Sequence, residues 1–362
     1  MTTEPDSPAD AGPRGTGSPE DPAEAAAGVI ATPPAETPGD LPPREVAPAP
    51  DARPKVGLAD AVFKNLTRTA GIGLLVLIAL IAAFLVIRAW DALGANEGNF
   101  LTTEEWRANA TPPVFGVAAL LFGTLITAVI ALVIAVPVAV GIALFITIYA
   151  PRRIAASLGY IVDLLAAVPS VIYGLWGLLV LAPHFNGTQS WLNDYLGWIP
   201  LFDTGEDTVG RSILLASVVL AIMILPIVAA ISREVFSQVP ITHREAALAL
   251  GATRWEMIRT AVIPYGKPGV ISASMLGLGR AMGETIAVAL VLPASFDISW
   301  HILAPTGNTI AANVANGFGE ANDVGRGALI ASGLVLFVVT MVVNMIARAV
   351  IARRREFSGR AA

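Results

Sequence analysis

Residues 269–293 read GVISASMLGLGRAMGETIAVALVLP, an apolar stretch that carries an Arg-Ala-Met-Gly-Glu string at positions 280–284. The stretch is long enough to cross a bilayer. At about 1.5 Å per helical residue, Arg280 lies roughly 16 Å from Gly269, near the middle of a hydrocarbon core of about 30 Å. Glu284 follows one turn later, on nearly the same face of the predicted helix. A charged pair inside a membrane span indicates a functional site.

The composition of the whole chain predicts an all-α integral membrane protein. Of its 362 residues, 55% are hydrophobic and 14% are charged, and the mean hydropathy is +0.67. A soluble enzyme is excluded by this balance. Six apolar runs predict six transmembrane helices, with the long second run tilted or bent at Pro137. The runs are 69–87, 114–149, 158–181, 212–231, 269–292 and 327–350.

The flanking charges predict how the chain lies in the membrane. Of the 23 lysines and arginines, 16 lie in four alternate segments, 51–69, 150–157, 233–269 and 348–362. Short loops rich in basic residues stay in the cytoplasm. Both termini are therefore predicted to be cytoplasmic, and the acidic loops between the other run ends to be external, in a multi-pass protein of the bacterial cell membrane.

The region before the first run predicts a disordered cytoplasmic tail. Residues 1–60 are rich in proline and alanine and contain too little apolar surface to offset chain entropy. Residues 61–113 then supply the first span and an external loop, and residues 114–355 the core. The chain has no cysteine, its three histidines show no ligand spacing, and no basic patch with interleaved aromatics occurs. We expect neither a metal site nor a nucleic-acid partner.

The longest predicted cytoplasmic loop, 233–269, ends in EAALALGATRWEMIRTAVIPYGKPG at 245–269, hereafter the EAA segment. A helix beginning near residue 242 or 243 places Ala246, Ala247 and Leu250 on one small-residue face, beside the anionic Glu245. Such a face suits close docking of a partner. The alternative is an amphipathic helix that lies on the membrane surface.

The EAA segment resembles the EAA loop of ATP-binding-cassette importer permeases. The matching positions are Glu245-Ala246-Ala247, Gly251, Ile263-Pro264 and Pro268-Gly269, with Ile263 in place of the usual leucine. The resemblance implies a type I importer (MetI-like) permease core and a coupling helix that docks on a cytoplasmic ATPase, with Gly251 in a tight turn. No Gly-x-x-x-x-Gly-Lys-Ser/Thr string occurs in the chain, so ATP and Mg²⁺ are expected on the partner ATPase.

Two further strings resemble the phosphate-specific importer permeases of bacteria. They are LLAAVPSVIYGLWGLLVLAP at 164–183 and GLGRAMGETIAVALVL at 277–292, and the Ile286-Ala287-Val288 continuation is PstC-like. Asp163 departs from the glutamate expected in that family. The resemblance implies a paralogous PstA-like permease, two PstB-like ATPase subunits and an external PstS-like phosphate-binding protein as partners.

Four residues are the candidates for contact with the transported phosphate. Arg280 is the predicted phosphate ligand, because a guanidinium stays charged and offers a fork of N–H groups. Glu284 is its predicted exchange partner. Ser170 and Tyr173, beside a proline in the third run, are weaker candidates. The alternative is that Arg280 and Glu284 only neutralise each other and stabilise the helix; Gly277, Gly279 and Gly283 around them suit either close packing or an ion path.

Three other functions stay open at this point, the last being a sensory or assembly role in which the subunit reports transport status to a signalling partner through its cytoplasmic surface. The first is an importer permease for another oxyanion, such as sulfate or molybdate. The second is an ion-gradient-driven carrier in which Arg280 and Glu284 form a proton-linked relay. The EAA segment argues against a carrier, and dependence on ATP distinguishes the two classes. In every case the chain itself is expected to catalyse no covalent chemistry.

Overall fold

The computed structural model describes residues 58–204 and 211–359, with side chains from 59 to 349. The chain divides into a unit of residues 1–66 and a unit of residues 67–362. All but the last three residues of the predicted disordered tail lie outside the described residues, and residues 58–60 begin the first helix. The predicted all-α class is confirmed, with one short antiparallel hairpin added.

The described elements are twelve helices, three π-helical turns and one hairpin. In chain order they are α1 (Leu58–Ala95), β1 (Trp106–Arg107), β2 (Val114–Phe115), α2 (Ala118–Leu144), a π turn (Phe145–Tyr149), α3 (Arg152–Ala166), α4 (Ser170–Trp176), a π turn (Gly177–Leu181), α5 (Ala182–Leu196), α6 (Ile213–Ser237), α7 (Ile241–Ala249), α8 (Arg254–Met257), a π turn (Ile258–Val262), α9 (Ile263–Met282), α10 (Ile286–Val291), α11 (Ile310–Gly317) and α12 (Asp323–Gly359).

Four of the six predicted runs form continuous helices long and apolar enough to span a membrane. These helical stretches are Ala59–Ala95, Ala118–Tyr149, Ile213–Ser237 and Asp323–Ala349. The other two runs, 158–181 and 269–292, are interrupted. The predicted count of six spans is therefore not precisely confirmed: within the described residues there are four continuous apolar helices, one bent helix pair and one divided helix.

The third run bends because of Pro169. Helices Arg152–Ala166 and Ser170–Leu196 meet at an angle of 89°. Proline lacks the N–H that would continue a helix and pushes the preceding residue out of the helical region. The hydroxyl of Tyr173 donates to the carbonyl of Leu165 at 2.9 Å and so bridges the bend.

The fifth run divides just after Arg280. Helix α9 ends at Met282, Gly283 caps it, and α10 begins at Ile286. The expectation that Arg280 and Glu284 share one helix face is therefore wrong, because Glu284 lies outside both helices.

The core is centred on α6, which packs against α2, α3, α9 and α10. Alanines spaced three or four residues apart form the buried stripe of α2: Ala128, Ala131, Ala135 and Ala139. Small side chains allow two helix backbones to lie close together in a membrane. In contrast, no residue is buried in the most apolar window of α1. The helix contacts the rest of the unit of residues 67–362 near its C-terminal end, where Ala92 contacts the cluster of Phe115 and Ala328.

The two ends of the bundle differ. At the hairpin end, the side chain of Asn96 both donates to the carbonyl and accepts from the amide of Phe115, at 2.8 and 3.0 Å. At the other end, hereafter the EAA end, the last residues of α2 and α6 pack with Met257, Ile258 and Val262. Helix α9 begins at the EAA end, whereas α12 begins at the hairpin end, where Asn322 donates to Asn109.

We predict that Gly174→Ala destabilises the protein. A Cβ at this position would lie 2.6 Å from the Cα of Ala287 and 3.1 Å from a methyl of Leu290, so α4 and α10 must separate. Overpacking of this kind costs about 1–3 kcal/mol. The measurement is thermal unfolding of the full-length protein in detergent. Gly141→Ala in α2 is the matched control, because its Cβ meets nothing within 4 Å; equal unfolding midpoints for the two variants would contradict the prediction.

Candidate functional site

Arg280 lies in the last turn of α9 and lines an open cavity. The side chain is exposed, and the cavity, hereafter the Arg280 cavity, has a volume of about 600 Å³. Residues from α6, α9 and α12 form its walls: Ile227, Ser272, Met275, Leu276, Gly279, Arg280, Asn344, Ala347 and Arg348. The predicted ligand is thus accessible, on a helix that is otherwise apolar at this depth.

Glu284 is held by the helix that follows it. The residue is 9% exposed, and its Oε1 accepts a hydrogen bond from the amide of Ala287 at 3.2 Å. This contact satisfies a free N–H in the first turn of α10. Among the ion pairs of residues 58–204 and 211–359, none joins Glu284 to Arg280. The alternative in which the two charges neutralise each other along one helix is therefore wrong for this conformation.

Helix α4 brings the Ser170–Tyr173 string to the same region. A Cβ on Gly174 would meet Ala287, and one on Gly177 would meet Val291, so α4 and α10 run parallel and their first turns lie at the same level. Ser170 begins α4 and is half-buried. The guanidinium of Arg280 interacts electrostatically with the hydroxyl of Tyr173. The structure thus groups Arg280, Glu284 and Tyr173 around the gap between α9 and α10, and places Ser170 at the matching end of α4.

The glycines around Arg280 serve two different purposes. A Cβ on Gly277 would lie 2.9 Å from Val228 of α6, whereas one on Gly279 would meet nothing within 4 Å. Gly277 therefore allows close helix packing, and Gly279 leaves open space beside Arg280. Close packing, one of the two uses that the sequence left open, thus occurs at Gly277, and an ion path beside Gly279 stays a prediction.

Sequence reasoning missed the contribution of α12 to this cavity. Asn344 and Arg348 lie four residues apart, one turn of the same face, and both line the cavity with Arg280. The only signal was their position in the last apolar run, where Arg348 was counted as a flanking charge. The approach of α12 to α9 is a tertiary contact that neither segment encodes alone.

Asp163, the departure from the family pattern, forms a contact between helices. Its carboxylate accepts from Nη2 of Arg233 on α6 at 3.2 Å to each oxygen. The guanidinium passes over Gly159, where a Cβ would lie 2.2 Å from Nη1. Both side chains are partly exposed, at 53% for Asp163 and 28% for Arg233, so the pair contributes little stability by itself. It fixes α3 against α6 and lies apart from the Arg280 cavity.

The helix predicted in the EAA segment is confirmed, as is its glycine turn. Helix α7 runs from Ile241 to Ala249, and Gly251 follows with φ +84°, a left-handed conformation that side chains disfavour. The amide of Gly251 donates to Leu248, and that of Ala252 donates to Ala247. This pair of bonds is the Schellman arrangement that ends a helix.

The faces of α7 differ from those predicted. Leu250 is 90% exposed, and Glu245 and Ala246 are also exposed, but Ala247 is half-buried and packs on the cluster formed by Met257, Ile258 and Val262. The prediction that Ala246, Ala247 and Leu250 share one exposed face is therefore wrong, because the side chain of Ala247 packs against the protein's own core. Exposed apolar side chains that the sequence did not single out are Ile241, Leu248 and Trp255.

Helix α7 is tied to the membrane helices by Arg244. Its guanidinium donates to the carbonyl of Phe236, in the last turn of α6. The ring of Phe236 in turn occupies the space that a Cβ on Gly266 of α9 would fill. A displacement of α7 therefore acts directly on the ends of α6 and α9.

The turn after α7 is closed by a capping box. The Thr253 hydroxyl accepts from the amide of Glu256, and the Glu256 carboxylate accepts from the amide of Thr253 at 2.8 Å. Hydrogen bonds from the backbone and then from the hydroxyl of Thr253 lower the pKa of Glu256 below its ordinary value. The cap is therefore fully formed above the unfolded-state pKa and is lost only as the pH falls through the lowered value.

Known proteins are similar to most of this chain in sequence. The family model for the binding-protein-dependent transport system inner membrane component matches residues 135–356. The phosphate transport system permease protein PstC 2 of Mycobacterium tuberculosis is 47% identical over 295 residues, which are 80% of this chain and 91% of that protein. PstC of Mesorhizobium japonicum is 42% identical over 305 residues, 83% and 92% of the two chains.

A solved structure of the methionine transporter MetNI, in an inward-facing conformation, covers 65% of this chain and 94% of its own, with 20% identity and a TM-score of 0.43. The family is established by the sequence matches, which extend across the EAA segment and the Arg280 cavity. This chain belongs to the family of binding-protein-dependent transport system inner membrane components, the permease subunits of ATP-binding-cassette importers.

Proposed function

We propose that this chain forms half of the translocation pathway for inorganic phosphate in an ATP-driven importer. The observation that carries the proposal is the exposed guanidinium of Arg280 in an open cavity, on an apolar helix that ends two residues later. The relatives that match most of the chain are named as phosphate transport permeases. Phosphate, the substrate in the names of those relatives, is therefore the anion that we assign to this guanidinium.

Arginine suits the transport of an oxyanion through an apolar region. Its guanidinium stays charged and presents several N–H donors in a plane, which match two oxygens of a phosphate at once. An unpaired arginine at the helix centre costs about 2.5–3.5 kcal/mol on insertion scales. A phosphate that enters the cavity replaces water as the partner of Arg280, and the charge is then compensated by the substrate itself.

Glu284 acts as the exchange partner of Arg280 in this proposal. Its carboxylate is bound by the amide of Ala287 in the described conformation, so Arg280 is available to substrate. A shift of α10 relative to α9 would release the carboxylate toward the guanidinium, where it would compete with phosphate and favour release. Tyr173, within electrostatic reach of Arg280, would donate to the anion after releasing its hydrogen bond to Leu165, and Ser170 remains a weaker candidate.

The energy source lies on other subunits. We propose that Glu245, Ala246 and Leu250, with Ile241 and Leu248 added by the structure, dock on an ATPase that holds ATP and Mg²⁺. Exposed apolar side chains beside one carboxylate form a surface of the kind that partner subunits cover. Ala247 and Gly251 support the shape of this surface from within. Arg244 then transmits the motion of α7 to α6 and α9.

The working unit in this proposal contains this chain, a paralogous permease, two ATPase subunits and an external phosphate-binding protein. Both termini and the EAA segment lie in the cytoplasm, as the basic segments predict. The hairpin end then faces the binding protein. An importer for sulfate or molybdate, and an ion-gradient carrier, differ from this proposal in substrate and in energy source, and the same transport assay separates them.

We predict that Arg280→Gln lowers ATP-driven uptake of labelled phosphate by at least about tenfold, because hydrogen bonds to charged groups contribute about 1.5–3 kcal/mol. The measurement uses vesicles that contain the assembled complex, at matched subunit abundance. Arg68→Gln is the control, since this arginine is exposed on α1 and does not line the Arg280 cavity. Equal uptake by wild type and Arg280→Gln would remove Arg280 from the pathway. Uptake of sulfate but not phosphate, or uptake without ATP, would favour one of the alternatives.

Glu245→Lys is expected to weaken binding of the ATPase subunit, because it reverses the one carboxylate on the exposed part of α7. The measurement is the amount of ATPase retained by the purified permease pair as salt is varied. Glu320→Lys, the same change on an exposed residue at the hairpin end, is the control and should retain the wild-type amount. Undiminished retention by Glu245→Lys would refute the docking assignment.

A further inference from the structure

The Arg280 cavity contains a second guanidinium that the proposed function does not use. Arg348 of α12 lines it together with Asn344, while Ser272, Gly279 and Arg280 line it from α9. No carboxylate occurs among the residues that form its walls. Two positive charges therefore share one cavity whose remaining walls are the apolar side chains of Ile227, Met275, Leu276 and Ala347.

Neither guanidinium has an ion-pair partner among the side chains that the structure describes. Within residues 59–204 and 211–349, no ion pair involves Arg280 or Arg348. Charges in a poorly polar environment are normally paired. A cavity with two cations and no anion is thus complementary to an oxyanion, and at about 600 Å³ it lies within the range of small-ligand sites.

The two arginines lie at different depths. Helix α9 begins at the EAA end, where Val262 packs with Phe236, and reaches Arg280 in its last turn. Helix α12 runs the opposite way, since it begins at the hairpin end. The cavity extends from Arg280 back to Ser272, about 12 Å along α9, and Arg348 lies one turn closer than Asn344 to the EAA end.

We propose that Arg348 and Asn344 form a second oxyanion site, between Arg280 and the EAA end of the pathway. This inference rests on the proposed function and assigns the step that follows binding at Arg280. An oxyanion that leaves Arg280 is received by the Arg348 guanidinium and the Asn344 amide before it reaches water. Conduction requires sites that are strong enough to bind yet numerous enough to release, and two weaker cationic sites meet that requirement better than one strong site.

The site is tested in the assembled complex, reconstituted in vesicles of phosphatidylcholine, with labelled inorganic phosphate as the probe. Arg348→Gln is expected to lower ATP-driven uptake about tenfold, as the loss of a charged hydrogen bond does. It should also raise, by a similar factor, the concentration of phosphate on the EAA side that inhibits uptake. Arg68→Gln is the matched control, because it removes one positive charge from an exposed position on α1 that does not line the cavity.

A second variant keeps the test valid if Arg348→Gln fails to fold. Asn344→Asp keeps the size of the side chain and places a carboxylate one turn from Arg348, where it competes with the oxyanion. Uptake should again fall about tenfold, with the same amount of assembled complex as wild type. If both variants match wild type in uptake and in inhibition, the second site is refuted while Arg280 keeps its role. Absence of phosphate uptake by the intact wild-type complex would instead refute the proposed function.

The phosphate headgroup of a lipid offers Arg348 the same hydrogen-bond acceptors as inorganic phosphate. The lipid composition of the vesicles distinguishes these two ligands. The assay is repeated in vesicles that contain phosphatidylglycerol. A loss of uptake in Arg348→Gln that is equal in both membranes supports a site for the transported anion. A loss confined to the anionic membrane would show that Arg348 binds a lipid headgroup, and would overturn the proposal.

Discussion

The hydrogen bond between the Glu284 carboxylate and the Ala287 amide lies where one helix has stopped and the next is starting, inside an apolar part of the chain. Lipid offers no partner for the backbone groups that such a break leaves free, so irregular backbone persists at membrane depth only where protein or a water-filled cavity covers it. Glu284 covers one of these groups. Helix α4, which approaches α10 closely through Gly174, covers the region from the other side. The break in the fifth run is thus supported from both sides.

Local signals in the sequence predicted the parts of the fold that local chemistry determines. The apolar runs at 69–87, 114–149, 212–231 and 327–350 are helical because length and hydropathy suffice to specify a span. The turn at Gly251 followed from the resemblance of the EAA segment and agrees with the preference of glycine for positive φ. Arg280 stood out because a lone charge in an apolar run is costly.

Other features were not predicted, because the mean hydropathy of an apolar run does not reveal where its backbone bends or breaks. The bend at Pro169 had a local signal, the restriction that proline places on the residue before it, but hydropathy continued unchanged through it. The break after Met282 had a weaker local signal, the glycine at position 283 next to the carboxylate of Glu284. The inward position of Ala247 and the presence of Arg348 in the cavity arise from contacts between segments distant in sequence. No pattern within a single segment encodes such contacts.

The exposure of the apolar window of α1 has a consequence for how the sequence of this chain can diverge. No residue of its most apolar window is buried, whereas 72% of the corresponding window of α6 is. A residue of α6 must fit the shapes of its neighbours on several sides, so most substitutions there leave a void or a clash. A residue in that window of α1 meets no such packing within the described chain, so its apolar character is the main constraint. Leucine, isoleucine, valine and phenylalanine are interchangeable under that condition, so α1 can accumulate differences between relatives while the helices around the cavity stay nearly fixed.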